Sequence, residues 1–296
     1  MTNRIHEIVV RDHRLDPAES EVWITVEPEE LTDSTRIAGR LMGPRCPYSS
    51  TVEVAYPLRP WKREDEGNDS KSLTMRVIIP EASLWEPESP FLYQGPVELW
   101  QDEALCERVQ LSHGLRVLTL GPRGIRVNGR PFTIEGVQGD RFTEDELFRL
   151  RQAGCNLLLA SVNAQTLRLW ETADRFGFLM LGRIVDRETW ELAGTLRQHP
   201  CCLGWVITPE LMNHEILQAV RFSPLSFGRS HLVGCEINPL SLGPLPDGVQ
   251  FMVCEEVLLP LLVNHPQPKI VLADREFDEL EAPDVLGWIF SGRTDQ

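Results

Sequence analysis

Hydrophobic and polar residues alternate along the first part of the chain, up to about residue 120. Short segments rich in Val, Ile and Thr follow the two-residue repeat of strands that bury one face. The alternation predicts seven strands without a convincing helix between them: IHEIVV (5–10), EVWITVEP (21–28), TRIAGRLM (35–42), STVEVAYPL (50–58), SLTMRVIIP (72–80), VELWQ (97–101) and CERVQLSHG (106–114). Short strands separated by polar turns are typical of an antiparallel β-sandwich of immunoglobulin type, which we predict for residues 1–120.

A second pattern begins near residue 133, where strand-like segments alternate with helical ones. Thr143 and Glu146 form a capping-box pattern, and the helix that they begin ends at Gly154. The predicted helices are 143–154, 165–177, 186–198 and 210–220, and the predicted strands are TIEGVQ, CNLLLAS, FLMLGRI, LGWVIT, HLVGCEI, VQFMVCEE, KIVLAD and DVLGWIF. Strand–helix alternation builds parallel sheets through right-handed crossovers. Eight strands favour a (β/α)8 barrel of TIM type over residues 121–296.

A doubly wound sheet is the alternative for this second half, although no G-x-G-x-x-G follows its first strand. The barrel would be compact, with about 20 residues for each strand–helix unit, whereas a typical barrel of this type has about 250 residues in all. Because strands and helices shorten little, the loops must be short. We therefore expect a shallow site at the C-terminal ends of the strands.

The net charge and the cysteine content indicate which classes of partner the protein could bind and in which cellular compartment it is expected. A net charge of −15 argues against binding to nucleic acids and to anionic membranes. No apolar run approaches the roughly 18 residues of a membrane span, and the N-terminal MTNRIHEIVV lacks the apolar core of a signal peptide. The seven cysteines include no C-x-x-C motif, which indicates reduced thiols. The expected location is cytoplasmic.

Several stretches resemble glycoside hydrolase family 2, the group of β-galactosidases, β-glucuronidases and β-mannosidases. The stretches are LWEPESPFLY (84–93), HGLRVLTLGPRGIRVNGRPFTIEGV (113–137), AGCNLLLAS (153–161), ETADRFGFLML (171–181) and RQHPCCLGWVITPE (197–210). They follow the family's order over about residues 5–296, with no counterpart of its N-terminal jelly-roll domain. The resemblance implies a divergent, retaining β-glycosidase that needs no cofactor and binds a carbohydrate.

The resemblance also implies site residues. Glu210, five residues after Trp205, takes the place of the general acid/base at the end of the fourth barrel strand. Asp274 is the candidate nucleophile, although it needs a shift of one residue, and Glu276 lies further along. Retention requires two carboxyl groups about 5–5.5 Å apart. The alternative for Glu210 is an ordinary first-turn acid of the helix that would begin at Pro209.

Three further residues are candidate substrate-binding groups. Trp205 and Trp288 lie on predicted strands four and eight, where the family places aromatic residues near the sugar, and interior packing is the alternative for both. Asp140, after the first strand, is an exposed carboxylate at the same end of the barrel or a cap for the next helix. The histidines have no metal-ligand spacing, so no metal site is expected.

Several positions at which the family has residues of the catalytic site hold different residues in this sequence. Pro209 replaces the family's Asn before the acid/base, and Gln138 begins the segment that replaces its first-strand Asn-Arg-His. Gly182 and Arg183 replace its Asp-Glu after the third strand. These replacements predict impaired or lost catalysis. The alternative function is a non-catalytic scaffold, a pseudoenzyme that binds a carbohydrate, a protein partner or a second copy of the chain.

Overall fold

The computed structural model describes residues 3–16, 18–61, 71–121, 124–211, 231–239, 245, 247–273 and 285–291. The chain divides into two compact units, with the boundary after Arg116. None of the described helices has the length and hydropathy needed to cross a lipid bilayer.

The first unit consists of two antiparallel four-stranded sheets. Its strands are β1 (Ile5–Arg14), β2 (Glu19–Pro28), β3 (Arg36–Arg45), β4 (Val54–Pro57), β5 (Arg59–Trp61), β6 (Leu73–Pro80), β7 (Leu92–Gln101) and β8 (Ala104–His113). One sheet has the order β1-β2-β6-β5 and the other has the order β4-β3-β7-β8. A single apolar cluster joins them, with Val22 and Val77 from one sheet and Leu41 and Val97 from the other. The predicted antiparallel strands are therefore present as two sheets around one core.

The predicted strand at 50–58 differs from the structure in one respect. Residues 54–57 form β4 in one sheet, and residues 59–61 form β5 in the other. Leu58 lies between the two strands and is buried in the core that both sheets share. Apolar alternation continues through this crossover, so the sequence pattern alone does not show that the chain changes sheets.

The second unit begins with a three-stranded antiparallel sheet of β9 (Leu118–Gly121), β10 (Gly124–Val127) and β11 (Arg130–Phe132). Asn128 and Gly129 connect β10 to β11, and both have positive φ angles. An Asn-Gly pair is favoured in two-residue hairpin turns because both residues tolerate this conformation.

Eight parallel strands then form a closed barrel. They are β12 (Ile134–Gln138), β13 (Leu157–Ser161), β14 (Leu179–Ile184), β15 (Cys202–Ile207), β16 (Leu232–Ile237), β17 (Phe251–Glu255), β18 (Lys269–Ala273) and β19 (Val285–Ser291). Each strand pairs with the next in the sequence, and β19 pairs with β12 to close the barrel. The predicted barrel of TIM type is confirmed, and the alternative of an open doubly wound sheet is wrong.

Three described α-helices lie between barrel strands: α1 (Glu144–Gln152), α2 (Leu167–Phe176) and α3 (Arg187–Leu196). The predicted capping box is confirmed, because the Thr143 side chain accepts the backbone N–H of Glu146 and the Glu146 carboxylate accepts the backbone N–H of Thr143. Gly177 ends α2 in a left-handed conformation, which glycine adopts without a steric penalty. The predicted helix at 210–220 lies largely outside the described residues, which include only the 3-10 turn Pro209–Leu211.

Candidate functional site at the barrel mouth

Arg183 joins three strands at the C-terminal end of the barrel. Its Nη2 atom donates to Gln138 Oε1 and to Glu236 Oε1, each at 3.4 Å, and its Nε atom lies 3.1 Å from Glu236 Oε2. Gln138 is on β12 and Glu236 is on β16, and neither strand is a neighbour of β14, which carries Arg183. The side chains therefore meet across the inside of the barrel, as residues from alternate strands do in such barrels.

The charged side chains of this network are largely buried. The side chain of Arg183 is 18% exposed and that of Glu236 is 26% exposed. Ion pairs with this much burial are screened less by salt than surface pairs. The guanidinium and the carboxylate offset each other's charge, so the centre of the mouth holds a neutral polar network.

A cavity of about 250 Å³ opens beside this network, at the C-terminal ends of β15 to β18. The described residues that line it are Thr208, Pro209, Glu210, Glu236, Ile237, Asn238, Pro239, Cys254, Glu255, Leu258 and Leu272. Three of these residues are glutamates, and no lysine, arginine or histidine is among them. Glu210 is exposed and lies in the 3-10 turn that follows β15.

The thiols near the cavity are protonated at neutral pH. Burial, together with the negative charges of Glu236 and Glu210, raises the pKa of Cys235 to about 12. Burial also raises the pKa of Cys254 to about 11, partly opposed by the positive charge of Lys269. Because the thiolate is the nucleophilic form, neither cysteine is suited to covalent catalysis.

Trp205 lies in the outer wall of the barrel. Its ring packs 5.5 Å from that of Trp170 on α2, and only 5% of the residue is exposed. A Cβ atom at Gly182 would come within 2.6 Å of the indole. Gly182 precedes Arg183, and successive side chains on a strand point to opposite faces. The indole therefore faces the helices, away from the mouth network.

Trp288 on β19 lies on the outer face as well. The next residue, Ile289, contacts the position where Gly136 would carry a Cβ atom, and Gly136 shares its face of β12 with Gln138. Ile289 therefore points into the barrel and Trp288 points out of it. The structure thus brings neither predicted tryptophan to the mouth.

Asp140 lies at the end of β12 and binds the neighbouring strand. Its Oδ1 atom accepts the backbone N–H of Ser161 at 2.7 Å, and the side chain is exposed. The other predicted carboxylates, Asp274 and Glu276, lie outside the described residues. The described part of the chain therefore gives no distance between Glu210 and a nucleophile.

Sequence reasoning did not single out Glu236, Glu255 or Asn238. Glu236 and Glu255 lie in the strand segments VGCEI and FMVCE, at or next to the last residue of β16 and β17. The signal was available, because catalytic and binding groups in barrels lie where strands end at the C-terminal face.

A second polar group lies on the outer side of the barrel, where α2 meets the segment entering β15. Within the described residues, Asp174, His199 and Cys201 bring their potential ligand atoms within 4.8 Å of one another. However, Asp174 Oδ2 lies only 2.6 Å from His199 Nδ1, a hydrogen-bond distance. Asp174 Oδ1 also accepts the backbone N–H of Cys201 at 2.9 Å. The contacts join two segments of the fold.

Known proteins are similar to this chain in sequence and in structure, although no protein-family model matches it. The β-galactosidase BoGH2A of Bacteroides ovatus is 26% identical over 136 residues, which are 42% of this chain and 16% of that protein. The β-glucuronidase of Bifidobacterium dentium, solved with coumarin-3-O-glucuronide, superposes with a TM-score of 0.69 at 13% identity, covering 97% of this chain and 60% of that one. A glycosyl hydrolase family 2 member from Bacteroides cellulosilyticus gives a TM-score of 0.65 at 17% identity over 98% and 46% of the two chains.

The chain is a divergent glycoside hydrolase family 2-like protein. The agreement of sequence and structural neighbours confirms the resemblance found in the sequence motifs. The family 2-like chain spans only 16% of the curated β-galactosidase and about half of the solved family 2 structure.

Proposed function

We propose that the barrel of this family 2-like protein has lost most or all glycosidase activity and binds a carbohydrate. The observation that carries this proposal is the Arg183–Glu236 ion pair at the mouth, with Gln138 bound to the same guanidinium. A substrate ring would have to displace these fixed groups from the end of the barrel. The carbohydrate ligand follows from the relatives, whose names describe glycosidases.

The position of Glu210 also supports reduced catalysis. A general acid must be held within hydrogen-bond reach of the leaving-group oxygen. Glu210 is exposed and makes no hydrogen bond or ion pair with any residue in the described part of the chain. Pro209 before it offers neither a side-chain amide nor a backbone N–H. Nothing described around Glu210 therefore holds its carboxylate in one position.

A retaining β-glycosidase with Glu210 as acid/base and Asp274 as nucleophile is the second candidate function. It is favoured by the location of Glu210, directly after the fourth strand of a barrel of TIM type. Catalytic groups in such barrels come from the C-terminal ends of strands. The alternative of a scaffold for a protein partner or a second copy stays a prediction.

Hydrolysis of aryl β-galactoside, β-glucuronide, β-mannoside and β-glucoside separates the two functions. The expected result is no turnover, or slow turnover that is equal in the unchanged chain and in Glu210→Gln. Binding of the chain to an immobilised glycan library supplies the second part of the test. Turnover that disappears in Glu210→Gln would establish the enzyme and contradict the proposed scaffold.

We also propose that the first unit, which the sequence pattern bounded at residue 120 and the structure ends at Arg116, forms an immunoglobulin-like domain. The strand order β1-β2-β6-β5 in one sheet, with β3-β7-β8 in the other, agrees with the ABED and CFG sheets of that fold. Tyr93 at the start of β7 accepts the backbone N–H of Ser83 and donates to its carbonyl, as in a tyrosine corner. An experimental structure with a different strand order would contradict this assignment.

A further inference from the structure

The cavity beside the mouth has two chemically different walls. Pro209, Ile237, Pro239, Leu258 and Leu272 supply apolar surface. The remaining lining is polar, and it includes a hydroxyl, an amide and three carboxylates. Pockets for drug-sized ligands hold about 300–1,000 Å³, so a cavity of about 250 Å³ fits a ligand the size of a single ring.

The charges around the cavity do not balance. Arg183 neutralises Glu236 from the barrel side. Within the described residues, Glu210 and Glu255 form no ion pair, and the cavity lining contains no basic side chain. Among the residues that the structure describes, two carboxylates thus have no compensating cation beside one partly apolar space. Such a space favours a positively charged occupant, because opposite charges attract more strongly where water is partly excluded.

Hydrogen bonding on the same wall adds a second requirement, which is that the ligand carries hydroxyl groups. Thr208 offers a hydroxyl group, and a hydroxyl group pairs well with ligand hydroxyls. The apolar wall suits the C–H face of a ring. We propose that this cavity binds a small protonated amine that carries hydroxyl groups, of which an amino sugar is the simplest kind. This inference rests on the proposed carbohydrate-binding function and specifies its ligand class.

Calorimetric titration of the full chain with glucosamine, glucose and N-acetylglucosamine tests the charge requirement directly. The three sugars share a ring, and only glucosamine is cationic at pH 7. We expect glucosamine to bind at least tenfold more tightly than either neutral sugar. In the double variant Glu210→Gln/Glu255→Gln this preference should fall to less than twofold.

The matched control is Glu171→Gln/Glu256→Gln. It removes the same charge from two exposed glutamates that do not line the cavity, and Glu256 is the immediate neighbour of Glu255. The control should keep the tenfold preference, because only charges at the cavity act at short range. Equal thermal unfolding midpoints of the two double variants show that folding is not the cause of any difference.

The outcomes separate this inference from the proposed function. Equal affinities for glucosamine and glucose, or a preference that survives Glu210→Gln/Glu255→Gln, would overturn the cation requirement and leave carbohydrate binding intact. Cyclohexylamine, a cationic ring without hydroxyls, is the remaining probe. If it binds as tightly as glucosamine while the glycan library gives no binding, the carbohydrate function fails and the cavity is a site for amines only.

Discussion

Asp174 Oδ2 lies 2.6 Å from His199 Nδ1, and the other oxygen of the same carboxylate accepts the backbone N–H of Cys201. Asp174 belongs to α2 and is buried, whereas His199 and Cys201 belong to the segment that leads into β15. One side chain therefore attaches a helix to the entry of the fourth barrel strand. Because both oxygens are occupied, Asp174→Asn keeps one acceptor and replaces the other with an N–H donor, so that His199 Nδ1 would have to accept instead of donate.

We expect Asp174→Asn to lower the free energy of unfolding by about 2 kcal/mol, since a buried donor loses its acceptor. Urea denaturation monitored by circular dichroism measures the change. Glu171→Gln, an exposed position on the same helix, is the control and should change stability by no more than about 0.5 kcal/mol. Equal stability of the two variants would show that the contact is dispensable.

Gly182 and Trp205 form a tight contact in the barrel wall. Gly182→Ala would place a methyl group 2.6 Å from the indole, and such overpacking costs about 1–3 kcal/mol. A second change, Trp205→Leu, frees space at this point, so it should cost less in the alanine background than in the unchanged chain. Chemical denaturation of the four proteins measures this coupling, and additive effects would contradict the contact.

Gly194 in α3 provides the control for the alanine substitution. A Cβ atom at this position meets no atom within 4 Å. Alanine in a helix interior is favoured over glycine by about 0.5–1 kcal/mol. Gly194→Ala should therefore raise the unfolding free energy, in the direction opposite to Gly182→Ala. A loss of stability in both variants would mean that backbone conformation, rather than the indole, decides the result.

The effects of substituting Arg183 and Glu236 on the free energy of unfolding should not be additive, because the two side chains form an ion pair. Arg183→Met leaves Glu236 partly buried without its cation, and breaking a fully buried pair costs about 3–5 kcal/mol. Because both side chains retain some exposure, we expect a loss of about 1–2 kcal/mol. Arg183→Met/Glu236→Gln should cost less than the sum of the single changes. A double-mutant cycle from urea denaturation gives the coupling energy, and a value near zero would contradict the fixed pair.

Alkaline pH should weaken the fold through Cys235. Its pKa rises from 9.0 to about 12 on folding, so the folded state favours the protonated thiol. The resulting stabilisation is complete below pH 9 and is lost as the pH rises through the window from 9 to 12. Cys235→Ala removes this titration. The stability difference between the unchanged chain and Cys235→Ala should therefore shrink above pH 9, by at most about 1.4 kcal/mol per pH unit.

Unfolding free energies at pH 8, 9.5 and 10.5 measure this effect. Parallel curves for the unchanged chain and Cys235→Ala would contradict a raised pKa at that thiol.

Local patterns predicted most of the secondary structure. Apolar alternation and the Thr143–Glu146 pair depend on neighbouring residues, so the sequence carries them directly. The crossover at Leu58 does not follow from local pattern, because the shared core decides which sheet each strand joins. The predicted cytoplasmic location also stays a prediction.

The candidate site was only partly predictable. Gln138 and Arg183 were recognised as replacements of family residues, but their meeting with Glu236 depends on barrel closure, which brings alternate strands together. The outward direction of Trp205 was in principle readable from the alternation that places Arg183 inside. The sequence analysis left two roles open for Trp205, contact with a sugar and interior packing, and the structure packs the indole against Trp170.

The pairing of β12 with β19 has a consequence for the newly made chain. Strand β12 leaves the ribosome long before its partner β19, so until Val285 emerges β12 and β18 each lack one neighbouring strand. Open edges recruit other strands, and pairings between distant segments form slowly. A chain ending before residue 285 should therefore aggregate, which sedimentation after expression would measure. The last barrel strand therefore protects the finished barrel, and not the growing chain, against self-association through open edges.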